Sequence, residues 1–249
     1  MSILGAPGFM TQRERLITDY TTFKLRQHAL RCGARILLNP PEIDEFGYDI
    51  TIEEGFNYLP VQLKTKLVKS STDSWSILAN FFTPSFYDMR DFDCTVNDIN
   101  IGSHGGGGAV ILQEFDEDVL DGLDDKVSYF YCDVFYILAI AKGFWQATGF
   151  SRDQAIKLLK EVQNTPAAER FKLPRAAFIP VSTPGVILKW RAHVGRNSNY
   201  MSVHLFDKSS KVSETGTYNI SKLLQLELSE FIPENNTMNF KLYRTSLDN

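Results

Sequence analysis

Gly47-Tyr48-Asp49-Ile50-Thr51-Ile52, followed after a short interval by Val61-Gln62-Leu63-Lys64-Thr65, is the stretch on which the fold of this chain turns. Side chains alternate between the two faces of a strand. Tyr48, Ile50 and Ile52 therefore share one face, and Asp49 and Thr51 the other. On the second run Val61 and Leu63 point one way, Gln62 and Lys64 the other. Glu53-Glu54-Gly55 and Asn57 supply turn chemistry between the two runs. Paired as a hairpin, the strands gather Asp49, Gln62 and Lys64 into one polar patch flanked by apolar packing. A carboxylate, a neutral oxygen donor and an ammonium at one point suit a metal ion and a phosphate.

Upstream, Thr11 to Cys32 is expected as a helix with Leu16, Ile17, Tyr20, Phe23 and Leu30 on one face and Gly33 as its stop. Ala34 to Leu38 follows as a short strand ended by Asn39-Pro40-Pro41, and Glu42 to Phe46 is an acidic connector. Downstream, Trp75 to Phe82 is expected as a strand. Thr83 to Gly108 is irregular, carries Asp88, Asp91, Asp93 and Asp98, and ends in Ser103-His104 and the glycines Gly105 to Gly108. Since no Gly-Lys-Ser/Thr follows, that run is expected as a flexible loop rather than a phosphate cradle. Glu114 to Asp125 is acidic and expected as a solvated surface segment.

Val127 to Ala141 is dense in apolar and aromatic residues and is expected as a buried strand pair or one long strand. Asp133 inside it needs a partner if buried; it is expected at an edge, with a minor site role as the alternative. Ser151 to Gln163 has the pattern of an amphipathic helix with Ser151 as N-cap and Ile156, Leu159 and Val162 on or near one face, ended by Asn164-Thr165-Pro166. Strands are expected at Ala176–Val181, Gly185–Trp190 and Tyr200–Phe206, and a last helix at Ser221–Phe231. The working partition is a core over 1–150 and a C-terminal α/β extension over 151–249 packed on the same domain.

Composition narrows the function classes. With 43% hydrophobic and 22% charged residues the chain has an ordinary globular balance. A formal net charge of -4 argues against coating nucleic acid by bulk electrostatics, while leaving room for a local basic cleft. Cys32, Cys94 and Cys132 are far apart, without a Cys-x-x-Cys, so a structural zinc site is not expected and reduced thiols are. The first ten residues lack a secretory pattern, and the longest apolar run, Val134 to Ala141, is far below the roughly 20 residues that span a bilayer. A cytoplasmic protein without a membrane partner is the expectation.

Over residues 11 to 70 the order of parts (a helix, a strand, the Asp49 strand, the Gln62-x-Lys64 strand) resembles the PD-(D/E)xK nuclease superfamily, in particular its Mrr-like branch, where Gln often replaces the second acid. The resemblance implies an α/β, restriction-endonuclease-like core with a mixed central sheet flanked by helices, elaborated at the C-terminus. It implies catalytic roles for Asp49, Gln62 and Lys64. Mg²⁺, with Mn²⁺ able to substitute, would be held by Asp49, the Gln62 amide oxygen and the Leu63 carbonyl, and Lys64 would orient or activate the attacking water. Members often add an acid from the first helix; Glu14 and Asp19 are the candidates, and Asp19 is preferred because it borders the expected apolar stripe.

The same resemblance implies nucleic acid as substrate, DNA favoured over RNA, a host-defence setting, and action as a homodimer or with a partner subunit. Lys66 and Lys69 are candidate phosphate contacts or edge-protecting charges. Lys189, Arg191, His193 and Arg196, with Trp190 and Tyr200 close by, form the densest basic cluster, and Arg170, Lys172 and Arg175 a second one. These suit a phosphate backbone, although solvated charge on a hairpin is the commoner cause. Three rivals stand beside the nuclease: a nuclease-like module that only binds nucleic acid or a partner, an α/β interaction protein with no nucleic-acid role, and a plain solvated edge strand carrying Asp49 and Lys64.

Overall fold

A computed structural model describes residues 7–31, 35–41, 47–54, 57–84, 95–101, 105–116, 127–143, 147, 149–181 and 184–185. The chain enters through helix α1 (Met10–Arg31), whose last turn carries His28 and Arg31 against the negative end of the helix dipole. Its buried positions are Ile17, Thr21, Leu25 and Ala29, an unbroken i, i+4 line. Three of the residues expected on the buried stripe, Leu16, Phe23 and Leu30, are exposed instead, Leu30 by 80%. They lie about 100° or more around the helix from that line, and the small Thr21 and Ala29 take the buried places.

Strands β1 (Leu37–Asn39), β2 (Ile50–Glu54) and β3 (Asn57–Leu67) form an antiparallel meander, so the expected hairpin is present. Then comes β4 (Ser74–Leu78). The strand expected to run on to Phe82 stops at Leu78, and Ala79–Phe82 makes one helical turn, α2. Within the stretch expected to be irregular, β5 (Thr95–Val96) and β6 (Ile99–Asn100) form a tight hairpin across Asn97, whose φ of 53° is a left-handed value that Asn tolerates.

The glycine run is held rather than flexible. The N–H groups of Gly105, Gly106, Gly107 and Gly108 donate to the carbonyls of Pro84, Asn80, Thr83 and Phe81 at 2.8–2.9 Å. A Cβ on Gly105 would overlap the Thr83 backbone, and one on Gly108 the Phe81 ring. Glycine is required there for close approach. The segment leads directly into β7 (Ala109–Phe115), an element absent from the sequence expectations. Glu114 belongs to this strand and not to a solvated segment.

β8 (Val127–Asp133) ends where α3 (Val134–Ala141) begins, and every residue of α3 is buried. Asp133 is the junction. Fully buried, it accepts from the Tyr136 N–H at 2.7 Å and from the Tyr131 hydroxyl. It is therefore an interior helix cap, neither an edge residue nor an isolated buried charge. α4 (Arg152–Asn164) starts at the expected Ser151 N-cap in a full capping box with Gln154, and buries Ala155, Leu158, Leu159 and Val162. β9 (Arg170–Pro174), a 3-10 turn over Arg175–Ala177 and β10 (Ile179–Val181) follow. The strand expected from Ala176 thus begins only at Ile179. The elements expected at Tyr200–Phe206 and Ser221–Phe231, and nearly all of Gly185–Trp190, lie outside the described residues.

The result is an α/β fold around a mixed six-stranded sheet in the order β1-β2-β3-β7-β8-β10, in which only β3 and β7 run parallel. A second sheet, β4-β9, ties residues 74–78 to residues 170–174. α1 lies on one face of the main sheet: Gln113 Nε2 donates to Thr21 Oγ1 at 2.6 Å, and Ile17 packs on Phe115, Leu67 and Val127. The opposite face bears Gln62, Lys64, Lys66, Leu112, Glu114 and Phe130 by alternation along the paired strands. It meets the β4–β9 region through Leu78 beside Gly47 and Arg175 on Glu114 and Phe130. Among the described residues no helix is long and apolar enough to cross a membrane.

Candidate metal and phosphate site

The site is built by the point at which β2 stops. Ile50 pairs with Val61, and the Asp49 N–H still donates to the Val61 carbonyl at 2.9 Å. One further step of the same register sets Asp49 opposite Gln62. There the carboxylate takes over from the strand: Asp49 Oδ2 accepts the Leu63 N–H at 2.6 Å. An edge donor that would face an ended strand is thereby satisfied by a charge-assisted bond. Lys64 and Lys66 follow on the face of Gln62 at two-residue steps.

Burial separates the members. Asp49 is exposed and Lys64 half-buried, whereas Gln62 is only 4% exposed. Gly47, in the left-handed region at φ +71°, lies under Leu78; a Cβ there would come 3.3 Å from Leu78 Cβ and 4.0 Å from Gln62 Nε2. Beneath this cover the Gln62 Oε1 has no hydrogen-bond partner among the described residues. An orphaned, buried amide oxygen beside a carboxylate is an oxygen ligand set of the type Mg²⁺ takes, with water and substrate completing the shell. The set fits in kind, with one formal negative charge from Asp49.

Neither acid of α1 stands on this face. α1 packs on the other side of the sheet, through Thr21 on Gln113. Asp19 is exposed, about 200° around the helix from both Ile17 and Thr21. Glu14, also exposed, lies nearer the buried line, one turn before Ile17. Among the described residues no three His, Cys, Asp or Glu side chains cluster so as to hold a metal ion. The oxygens the hairpin could offer a cation are those of Asp49, Gln62 and the Leu63 backbone.

The same face is ordered in rows across the strands. Leu37, Glu53 and Tyr58 make the row at the far end of the hairpin, and Lys66, Glu114 and Ser128 the row at the other. The Tyr58 phenol is pushed up to about 12, first by burial and then by its hydrogen bond with Tyr48, so it stays protonated at neutral pH. Lys66 Nζ lies 3.8 Å from Glu114 Oε1, and Lys69 is exposed just after β3. Of the second basic group, Arg170 and Lys172 are exposed, Lys172 Nζ donating to Ser76 Oγ, while Arg175 is drawn onto Glu114. Lys189, Arg191, His193 and Arg196 lie outside the described residues.

The Lys66–Glu114–Arg175 cluster has no local sequence signal. It depends on the parallel pairing of β3 with β7, and only a β7 assignment for the apolar run at 109–112 would have hinted at it. Neither a protein-family model nor a curated protein matches the chain.

Proposed function

We propose that this chain is a metal-dependent phosphodiesterase with a restriction-endonuclease-like core, acting on nucleic acid and on DNA in preference to RNA. The observation that supports it is the buried Gln62 Oε1 next to Asp49, without a hydrogen-bond partner among the described residues, with Lys64 following on the same strand face. Asp49, Gln62 and the Leu63 carbonyl would hold Mg²⁺, or Mn²⁺ in its place. Such a cation polarises a phosphate and lowers the pKa of bound water. Lys64, half-buried beside this set, orients the attacking water by hydrogen bonding and offsets charge growing on the phosphoryl oxygens. Cutting both strands of a duplex calls for two such sites, hence a homodimer or a partner subunit.

A second reading is a nuclease-like module that binds nucleic acid or a protein without cutting. It is favoured by the Asp49 carboxylate bonding the Leu63 N–H, and by the lack, among the described residues, of three His, Cys, Asp or Glu side chains grouped to hold a metal ion. Supercoiled plasmid incubated with Mg²⁺ separates the two. The nuclease predicts nicking that EDTA stops and that Asp49→Ala and Lys64→Ala each reduce by roughly 100-fold or more. Full activity in both variants sinks the site assignment. Plasmid binding at low salt, without cleavage by the folded wild type, establishes the second reading.

A further inference from the structure

Lys66, Glu114 and Ser128 stand in one row across β3, β7 and β8, about 13 Å along β3 from Gln62 at ~3.3 Å per residue. Arg175 reaches over this row from the turn after β9. Its main chain is fixed at both ends, the N–H donating to Asp73 O at 2.6 Å and the carbonyl accepting from Phe178 N at 3.2 Å. Its guanidinium lies 3.6 Å from the centre of the Phe130 ring and gives Nε to Glu114 Oε1 at 2.5 Å.

Lys66 turns toward the same oxygen but stops at 3.8 Å, beyond hydrogen-bond distance. The Lys66 and Glu114 side chains are each only 15% exposed. Among the described residues, no other hydrogen bond or ion pair engages the Lys66 ammonium or the two terminal nitrogens of Arg175.

Among the described residues one carboxylate therefore faces two cations, leaving a net positive charge in a largely desolvated place. A structural ion pair would need Arg175 alone. The second cation, largely out of solvent and without a hydrogen bond among the described residues, is costly unless something completes it. What is missing is an acceptor with several oxygens that can take a guanidinium edge and an ammonium together. A phosphate has that shape and charge.

We propose that Lys66 and Arg175 form a phosphate-binding site, with Phe130 as the platform under the guanidinium and the exposed Ser128 hydroxyl at its rim. Glu114 anchors Nε and so turns the terminal nitrogens of Arg175 outward. The site stands on its own geometry and does not rest on the nuclease reading.

The test uses the full-length chain, ¹⁵N-labelled and free of divalent metal. Inorganic phosphate is titrated against chloride at constant ionic strength while the Arg175 Nε–H resonance, identified by its loss in Arg175→Lys, is followed. A saturable shift with phosphate and none with chloride is expected. Lys66→Gln should weaken the apparent affinity by about tenfold, the worth of one charge-assisted hydrogen bond, while Lys172→Gln leaves it unchanged. No saturable shift in the folded wild type overturns the proposal. So does equal weakening by Lys66→Gln and Lys172→Gln, which would mark diffuse surface charge. With no metal or nucleic acid present, either failure leaves the nuclease reading standing.

Discussion

At Gln62 a buried amide oxygen lacks a hydrogen-bond partner among the described residues, a state that costs about 1–3 kcal/mol unless something fills it. Gln62→Glu turns the question into a stability measurement. In EDTA the new carboxylate is buried beside Asp49 and should cost about 2 kcal/mol or more in urea denaturation. Added Mg²⁺ should return most of that loss, because two carboxylates then share the cation. A Gln62→Glu protein indifferent to Mg²⁺ would remove the hairpin as a metal site. The Asp49, Gln62 and Lys64 patch was legible in sequence because strand alternation is a local rule. The Asp49 cap on Leu63 was not, since it depends on where β2 ends. Asp19 was placed by an apolar stripe that the fold does not use: Leu16, Phe23 and Leu30 are exposed while Thr21 and Ala29 are buried.

Among the elements, the glycine strap makes the sharpest prediction. Gly108→Ala forces a methyl into the Phe81 ring and should cost about 1–3 kcal/mol by overpacking. Gly106→Ala meets nothing nearer than 3.5 Å and should cost well under half as much. Urea midpoints of the two variants settle this, and equal losses would mean the strap is not held as described. The helices α1 and α4 were readable in the sequence, α4 above all from its Ser151 cap. α3 was not: a helix buried all round has no amphipathic period to separate it from a strand. β7 was lost for a related reason, its apolar run beginning straight after glycines that argued for a loop.

Across the whole molecule, the parallel β3–β7 pair carries the architecture, and residues 170–181 add β9 to β4 and β10 to the main sheet. Such long-range pairing leaves no local trace, which is why the Lys66–Glu114–Arg175 cluster could not be read in advance. The buried interior also sets a pH limit. Burial pushes the Cys132 thiol well above its ordinary 9.0, with the nearby Asp133 charge adding to the shift, and raises the Tyr136 phenol far above 10.0. The unfolded chain releases these protons at lower pH than the folded one, so the native state binds more protons there. Stability should therefore hold at neutral pH and fall as pH rises above about 9. Urea midpoints from pH 7 to 11 check it, with Cys132→Ala delaying the onset towards pH 10. A midpoint that stays flat to pH 11 would contradict the buried titrating groups.

The nuclease reading stands or falls on a cation at the end of the β2–β3 hairpin, and electron paramagnetic resonance of free Mn²⁺ counts that cation. Asp49→Asn keeps an oxygen to accept the Leu63 N–H and removes only the charge. The wild type should bind one Mn²⁺ per chain at this position, and the folded Asp49→Asn protein should bind it about tenfold or more weakly. Identical Mn²⁺ binding by both proteins, or none by the wild type, would contradict it.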